Sequence, residues 1–222
     1  MDQRTRFNVD LDEAIQTAID GRMAELHTAV PVKIVSVDYQ KQTCAVQPTV
    51  KACVRKPDGS QEWISLPQIQ DAPLHFPHGG GVSMTFPVAP GDEGLAIISS
   101  RSQDAWQQSG GEQQQIDNRG HDLSNAFVMV GFRSTPNALP NVPSDSVQIR
   151  STDGNTLIDI KGGQVKVKAT GAESTVTPDK ITHKVGGLSV EITSDRIDLG
   201  GAGGSPVMTE GGPSTKVFAR VA

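Results

Sequence analysis

Apolar positions recur at helical spacing near the start of the chain and then switch to alternation. Leu11, Ala14, Ile15, Ala18, Ile19 and Leu26 share one face of a helix predicted over residues 8–27, while Asp12, Gln16, Asp20 and Glu25 mostly fall elsewhere. Asp10 stands at the predicted cap, with Glu13 three positions on. A single short helix is marginal alone in water, so this one is expected to dock on its own body, on a copy of itself or on a partner.

After Pro31 the period becomes that of a strand. Val32, Ile34, Val35 and Val37 lead into the polar turn Asp38 to Gln42, and Thr43 to Val54 reads as a strand interrupted at Pro48. Lys56-Pro57-Asp58-Gly59-Ser60 is a hairpin signal, with Trp63, Ile64 and Leu66 on the returning strand. Val82–Val88 and Leu95–Ser99 supply two more strands around Ala89-Pro90-Gly91-Asp92, and Ala126–Val130 supplies the last. About five short, curved strands predict a small barrel of the OB type over residues 30–133, with a flat five-stranded sandwich as the alternative. Residues 107–125 read as a polar loop, and the three prolines of residues 134–144 as a semi-rigid connector.

Beyond the connector the texture changes. Val147/Ile149, Ile158/Ile160, Val165/Val167, Ile181/Val185, Val190/Ile192 and Ile197/Leu199 alternate with polar residues in strands of four to six residues. Glycine-bearing corners separate them, among them Gly162-Gly163, Gly186-Gly187 and Gly200-Gly201. Residues 145–222 therefore read as a β-helix or β-prism. One such chain is too slender to enclose its own Val and Ile rows, so several chains wound about a common axis, most economically three, are expected to cover them.

Composition narrows the function classes. Residues 1–143 hold 11 Lys+Arg against 16 Asp+Glu and the remainder nine of each, so no basic face for nucleic acid is expected. Aromatics are only 4% of the chain, with 23 glycines and 14 prolines, which favours short strands and turns over bulky helical packing. Cys44 and Cys53 read as reduced, packed thiols. No stretch is apolar enough to span a bilayer and the first residues lack a signal-peptide core, which predicts a soluble chain made in a cytoplasm.

The order of parts is helix (1–29), barrel (30–133), proline connector (134–144) and glycine-cornered strands (145–222). It resembles the membrane-puncturing central spike of contractile-tailed bacteriophage baseplates. The motifs that carry the resemblance are Ala72-Pro73-Leu74-His75-Phe76-Pro77, Gly79-Gly80-Gly81, Thr85-Phe86-Pro87-Val88, Pro90-Gly91-Asp92-Glu93-Gly94-Leu95, Asp104-Ala105-Trp106 and Arg119-Gly120-His121-Asp122-Leu123. The resemblance implies a homotrimer at the tip of the tail, with an OB-like collar and an intertwined trimeric needle driven into the outer membrane on contraction. The implied partners are hub or tail-tube proteins, met through the N-terminal helix and barrel. Many such spikes end in His-x-His motifs that bind iron. Ser205 to Ala222 contain no histidine, so a separate tip protein or a blunt end is expected instead.

Candidate chemistry is sparse, and no catalytic, cofactor or metal site is assigned. His75 and His78 have no accompanying ligand cluster and read as turn and strand-end residues. His121-Asp122 lacks a nucleophile elbow, and the Arg119, His121 and Asp122 group reads as a loop anchor. Gly79-Gly80-Gly81 precedes a strand rather than a helix, which argues against a phosphate cradle. Asp92-Glu93 sits at a turn whose carboxylate accepts backbone N–H groups. His183 occupies the apolar phase of its strand and should point inward. There three copies would hold an anion, water or a metal ion, or form a hydrated polar layer. The expected function is structural and non-enzymatic. The alternatives are an OB-type module for glycan or single-stranded nucleic acid, and a tail-associated cell-wall hydrolase.

Overall fold

The structure is a computed structural model and describes residues 3–56 and 58–220. The protein is mainly β and divides into two compact units, one ending at Asn137 and the other beginning at Ala138. The division falls inside the proline-rich segment.

The first unit opens with α1 (Gln3–Ala24), which starts earlier than its periodicity suggests. Asp10 therefore lies within the helix rather than at its cap. Leu11, Ile15 and Ile19 are about half exposed along α1. Next come β1 (Ala29–Asp38), β2 (Thr43–Pro48), β3 (Ala52–Arg55), β4 (Gln61–Ile64) and β5 (Ile69–Pro73). They are followed by β6 (His78–Gly79), β7 (Val82–Ser83), β8 (Glu93–Ile98), α2 (Asp104–Ser109) and β9 (Ala126–Val130).

Five of these strands form one antiparallel sheet in the order β5-β2-β1-β8-β9. A parallel bridge between Leu74 and Val128 joins its two edges, with the His75 N–H donating to the Val128 carbonyl at 2.8 Å. This is the strand order and the parallel closure of an OB-type barrel. The alternation in β1 explains the core: Val30, Val32 and Ile34 point inward onto Val46, Ile69, Leu74, Ala96 and Val128. A bulge between Ile34 and Ser36 then shifts the phase and leaves Val35 outside.

The interruption read at Pro48 is where β2 ends; β3 resumes at Ala52 and pairs with β4 in a separate ribbon. Pro57 of that hairpin's turn lies outside the described residues. Two other sequence expectations are corrected in this unit. Of the predicted Val82–Val88 strand only Val82–Ser83 is paired, in a small hairpin with β6. The Thr85–Val88 run is instead held by Tyr39, whose hydroxyl donates to the Val88 carbonyl and accepts the Val88 N–H at 2.7 and 2.8 Å. Within residues 107–125, read as loop, α2 reaches as far as Ser109 and packs Trp106 edge-on against Phe127.

The second unit is one nine-stranded sheet. Its strands are β10 (Val147–Arg150), β11 (Leu157–Lys161), β12 (Gln164–Ala169), β13 (Ala172–Val176), β14 (Lys180–Val185), β15 (Leu188–Thr193), β16 (Ile197–Leu199), β17 (Ser205–Thr209) and β18 (Gly212–Ala219). From β10 to β16 every strand pairs antiparallel with the next, so within one chain the glycine corners act as hairpin turns. Gly163, Gly171 and Gly186 take positive φ there. β18 then pairs parallel with β16, leaving β17 on the edge.

Register sorts this sheet into two unlike faces, since directly paired residues share a face. One row runs Val147, Ile160, Val165, Val176, Ile181, Ile192, Ile197 and Val217. The middle row runs Ile149, Ile158, Val167, Ser174, His183, Val190, Leu199 and Ala219. A third, shorter row holds Ala169, Ala172, Val185 and Leu188. The opposite face carries Asp159, Lys166, Thr175, Thr182 and Glu191, with ion pairs Lys166–Glu173 at 2.7 Å and Lys180–Glu191 at 3.3 Å. Near its end Arg196 lies over the Phe218 ring and pairs with the buried Asp198.

Candidate functional site

Arg119, His121 and Asp122 of the first unit are occupied in holding loops. Arg119 spreads its guanidinium over three partners: Asp117 at 2.7 Å, the Ser124 hydroxyl at 2.7 Å and Asp104 of α2 at 3.0 Å. His121 takes a left-handed φ of 57° and places Nδ1 3.1 Å from the His27 carbonyl. The neighbouring Asp122 carboxylate accepts the Ser124 hydroxyl and N–H, and these bonds hold it below the usual carboxylate range. Imidazole and carboxylate thus serve separate partners, and the pair has no triad geometry. An open hollow of about 1100 Å³ lies beside this loop, lined in part by Met23, Leu26, Ile69 and Leu123.

His75 is exposed at the end of β5, and His78 sets Nδ1 2.7 Å from the Ser83 hydroxyl across the β6–β7 hairpin. Among the described residues of one chain, no three His, Cys, Asp or Glu side chains gather to hold a metal ion. Gly80 and Gly81 have φ of 58° and 80°, as a tight turn requires. Cys44 is buried, and burial pushes its thiol up to about 11. Cys53 corrects the expectation of two packed thiols. It lies exposed on the β3–β4 ribbon, which stands outside the barrel core.

The acidic pair of the Pro90–Leu95 motif divides its work. Asp92 accepts the Ala89 N–H at 2.8 Å and closes the turn. Glu93 accepts the Ser134 N–H, the Ser134 hydroxyl and the Asn137 amide at 2.6, 2.9 and 2.6 Å, tying the segment after β9 to the start of β8. Those bonds, led by the Ser134 N–H, lower its pKa from the ordinary 4.5. The unfolded chain therefore binds the proton more readily, and stability rises with pH in that window. The contribution of Glu93 is expected to be complete above 4.5 and to vanish as pH falls through its lower folded value. Urea unfolding of wild type and Glu93→Gln across pH 3 to 6 measures it (about that range follows from the carboxylate reference values); parallel pH slopes would rule it out.

A buried polar set beside α2 gave no signal in the sequence. Asn125 is fully buried, its Oδ1 accepts the Gln103 N–H at 3.4 Å, and the Gln103 amide donates to the Ala126 carbonyl at 3.2 Å. These are ordinary polar residues in a polar stretch, so only the fold reveals them.

The feature that stands out is the apolar face of the second unit. Val147, Val185 and Leu188 are 70%, 68% and 69% exposed, and Ile149, Ile160 and Val167 are about half exposed. Isolated apolar side chains on a surface need no explanation, whereas contiguous rows of them mark an interaction face. Among the described residues from β10 to β16, His183 and Ser174 are the polar members of these rows, and Ser205 of β17 extends the middle row beyond Ala219. His183 sits where its alternation placed it, on the apolar face, and is exposed in the single chain.

Residues 30–131 match the family model described as "Phage protein Gp138 N-terminal domain". The match spans the whole barrel, from β1 through β9, and takes in the hairpins, the triple glycine and the Arg119 loop. The first unit is thus similar to a phage protein domain; α1 and the second unit lie outside the matched range. No curated protein matches the chain.

Proposed function

We propose that this protein is a structural, non-enzymatic component of a phage particle: the threefold central spike of a contractile-tail baseplate. The observation that carries this reading is the uncovered apolar face of the second unit in a chain whose first unit is similar to a phage protein domain. Each buried Val or Ile contributes about 1.5–3 kcal/mol relative to exposure, so rows of them favour assembly strongly. Three copies of the sheet, apolar faces inward, make a triangular prism with the middle row nearest the axis. The charged faces then point to solvent.

In this reading the barrel is the collar, and α1 offers Leu11, Ile15 and Ile19 to a hub or tail-tube protein. The second unit is the shaft that meets the outer membrane on contraction, with a separate protein at its tip. The loops of the first unit support a mechanical role, because Arg119, Asp122 and Glu93 are spent on anchoring. Light scattering on the full-length protein tests the assembly. The expected mass is three times the 23.5 kDa chain; a monomer or a dimer would sink the proposal.

A further inference from the structure

We propose that three His183 imidazoles, one from each chain, form a transition-metal site on the axis of the second unit, completed on one side by the Ser174 hydroxyls. The site rests on the threefold packing proposed above. His183 lies in the middle of the three apolar rows, the row that faces the axis of such a prism. Its direct partners are Ser174 on β13 and Val190 on β15. Its nearest companions in the outer rows are Ile181 and Val185. Each row position is one strand spacing, about 4.8 Å, from the next. The histidine level is therefore followed on one side by a hydroxyl level and on the other by an apolar level.

An imidazole in such surroundings costs free energy unless both ring nitrogens find partners. No carboxylate stands in these rows among the described residues, which hold Val, Ile, Leu and Ala apart from Ser174, His183 and, at the far end, Ser205. Threefold symmetry also makes the three rings equivalent. One neutral ring nitrogen from each supplies three ligands at a single level, an incomplete shell suited to zinc, cobalt or nickel. A solvent-derived ligand held by the Ser174 hydroxyls fills the open side. The apolar levels beyond then keep bulk water away.

Full-length protein produced in medium supplemented with cobalt(II) tests this, because the metal is then present during assembly. Elemental analysis is expected to find one cobalt for three chains, with visible absorption of four-coordinate cobalt. His183→Val and His183→Gln should each lose that cobalt while keeping the threefold mass; the Gln variant retains a polar layer and the Val variant does not. Cobalt retained in either variant overturns the site, as does a threefold wild type holding no more cobalt than the variants. In those cases the layer is only hydrated and the spike reading stands. A monomeric wild type removes both.

Discussion

Ile158→Asp is expected to abolish the threefold mass proposed for the protein, whereas Thr175→Asp should leave it unchanged. Ile158 lies in the middle apolar row between Ile149 and Val167, and is 40% exposed in the single chain. If that chain were the working form, a carboxylate there would reach water and cost little. Inside a prism it would bring three carboxylates to one apolar level of the axis, with no Lys or Arg among its row neighbours Ile149 and Val167. An uncompensated buried charge costs about 3–5 kcal/mol, and like charges at one level add to it. Thr175 sits on the opposite face, paired with Lys166 and Thr182, where an added carboxylate meets a lysine. Light scattering on both variants separates the cases. Equal masses for the two would show that the apolar face is not where the copies meet.

Gly94→Ala is expected to destabilise the barrel by about 1–3 kcal/mol, the usual range for overpacking a tight site. A Cβ at Gly94 would stand 2.5 Å from the Met129 carbonyl oxygen and 3.2 Å from the Val130 Cα. Both are backbone atoms of β9, paired with β8 and unable to swing aside as a side chain would. The loss of unfolded-state freedom favours alanine by about 0.4–1 kcal/mol, which is too little to reverse the sign. Gly79→Ala is the control: nothing lies within 4 Å of its Cβ position and its φ is not positive. The urea midpoint should fall for Gly94→Ala and hold or rise for Gly79→Ala. Equal midpoints would mean that β8 and β9 do not approach so closely.

The two glycines show how far the sequence was legible. Both belong to the motifs that resemble a phage spike, but spacing alone does not tell a glycine that admits a neighbouring strand from one in open space. In the second unit, alternation revealed β10–β12 and β14–β16 because their apolar phase is filled by Val, Ile and Leu, His183 of β14 excepted. It missed β13, whose positions on the apolar face are Ala172, Ser174 and Val176, too small and polar to register as a row. β5 was hidden for a similar reason: Gln70, Asp71 and Pro73 break its pattern, and its place is fixed by pairing with β2. β17 and β18 lack a clean alternation and depend on the parallel contact with β16. Val82–Val88 shows the reverse error, since apolar residues in an extended run do not make a ladder without a partner strand.

The loop chemistry was legible in role but not in detail. Arg119, His121 and Asp122 read as an anchor, yet the three-way grip of Arg119 requires Asp104 from α2, fifteen residues earlier. His183 was the clearest signal among the candidates, because a polar residue in the apolar phase is visible from alternation alone.

The hairpin meander of the second unit also bears on how a sheet of this kind changes length. Each added pair of strands restores the direction of the chain and the alternation of its faces. Inserting or deleting one hairpin therefore moves the end of the sheet by two strand spacings, about 10 Å, without disturbing the register elsewhere. Reach becomes a countable quantity, set by hairpin number. The parallel β16–β18 contact is the one pairing among these described strands that is not between chain neighbours, so a hairpin inserted there would break the rule that holds from β10 to β16.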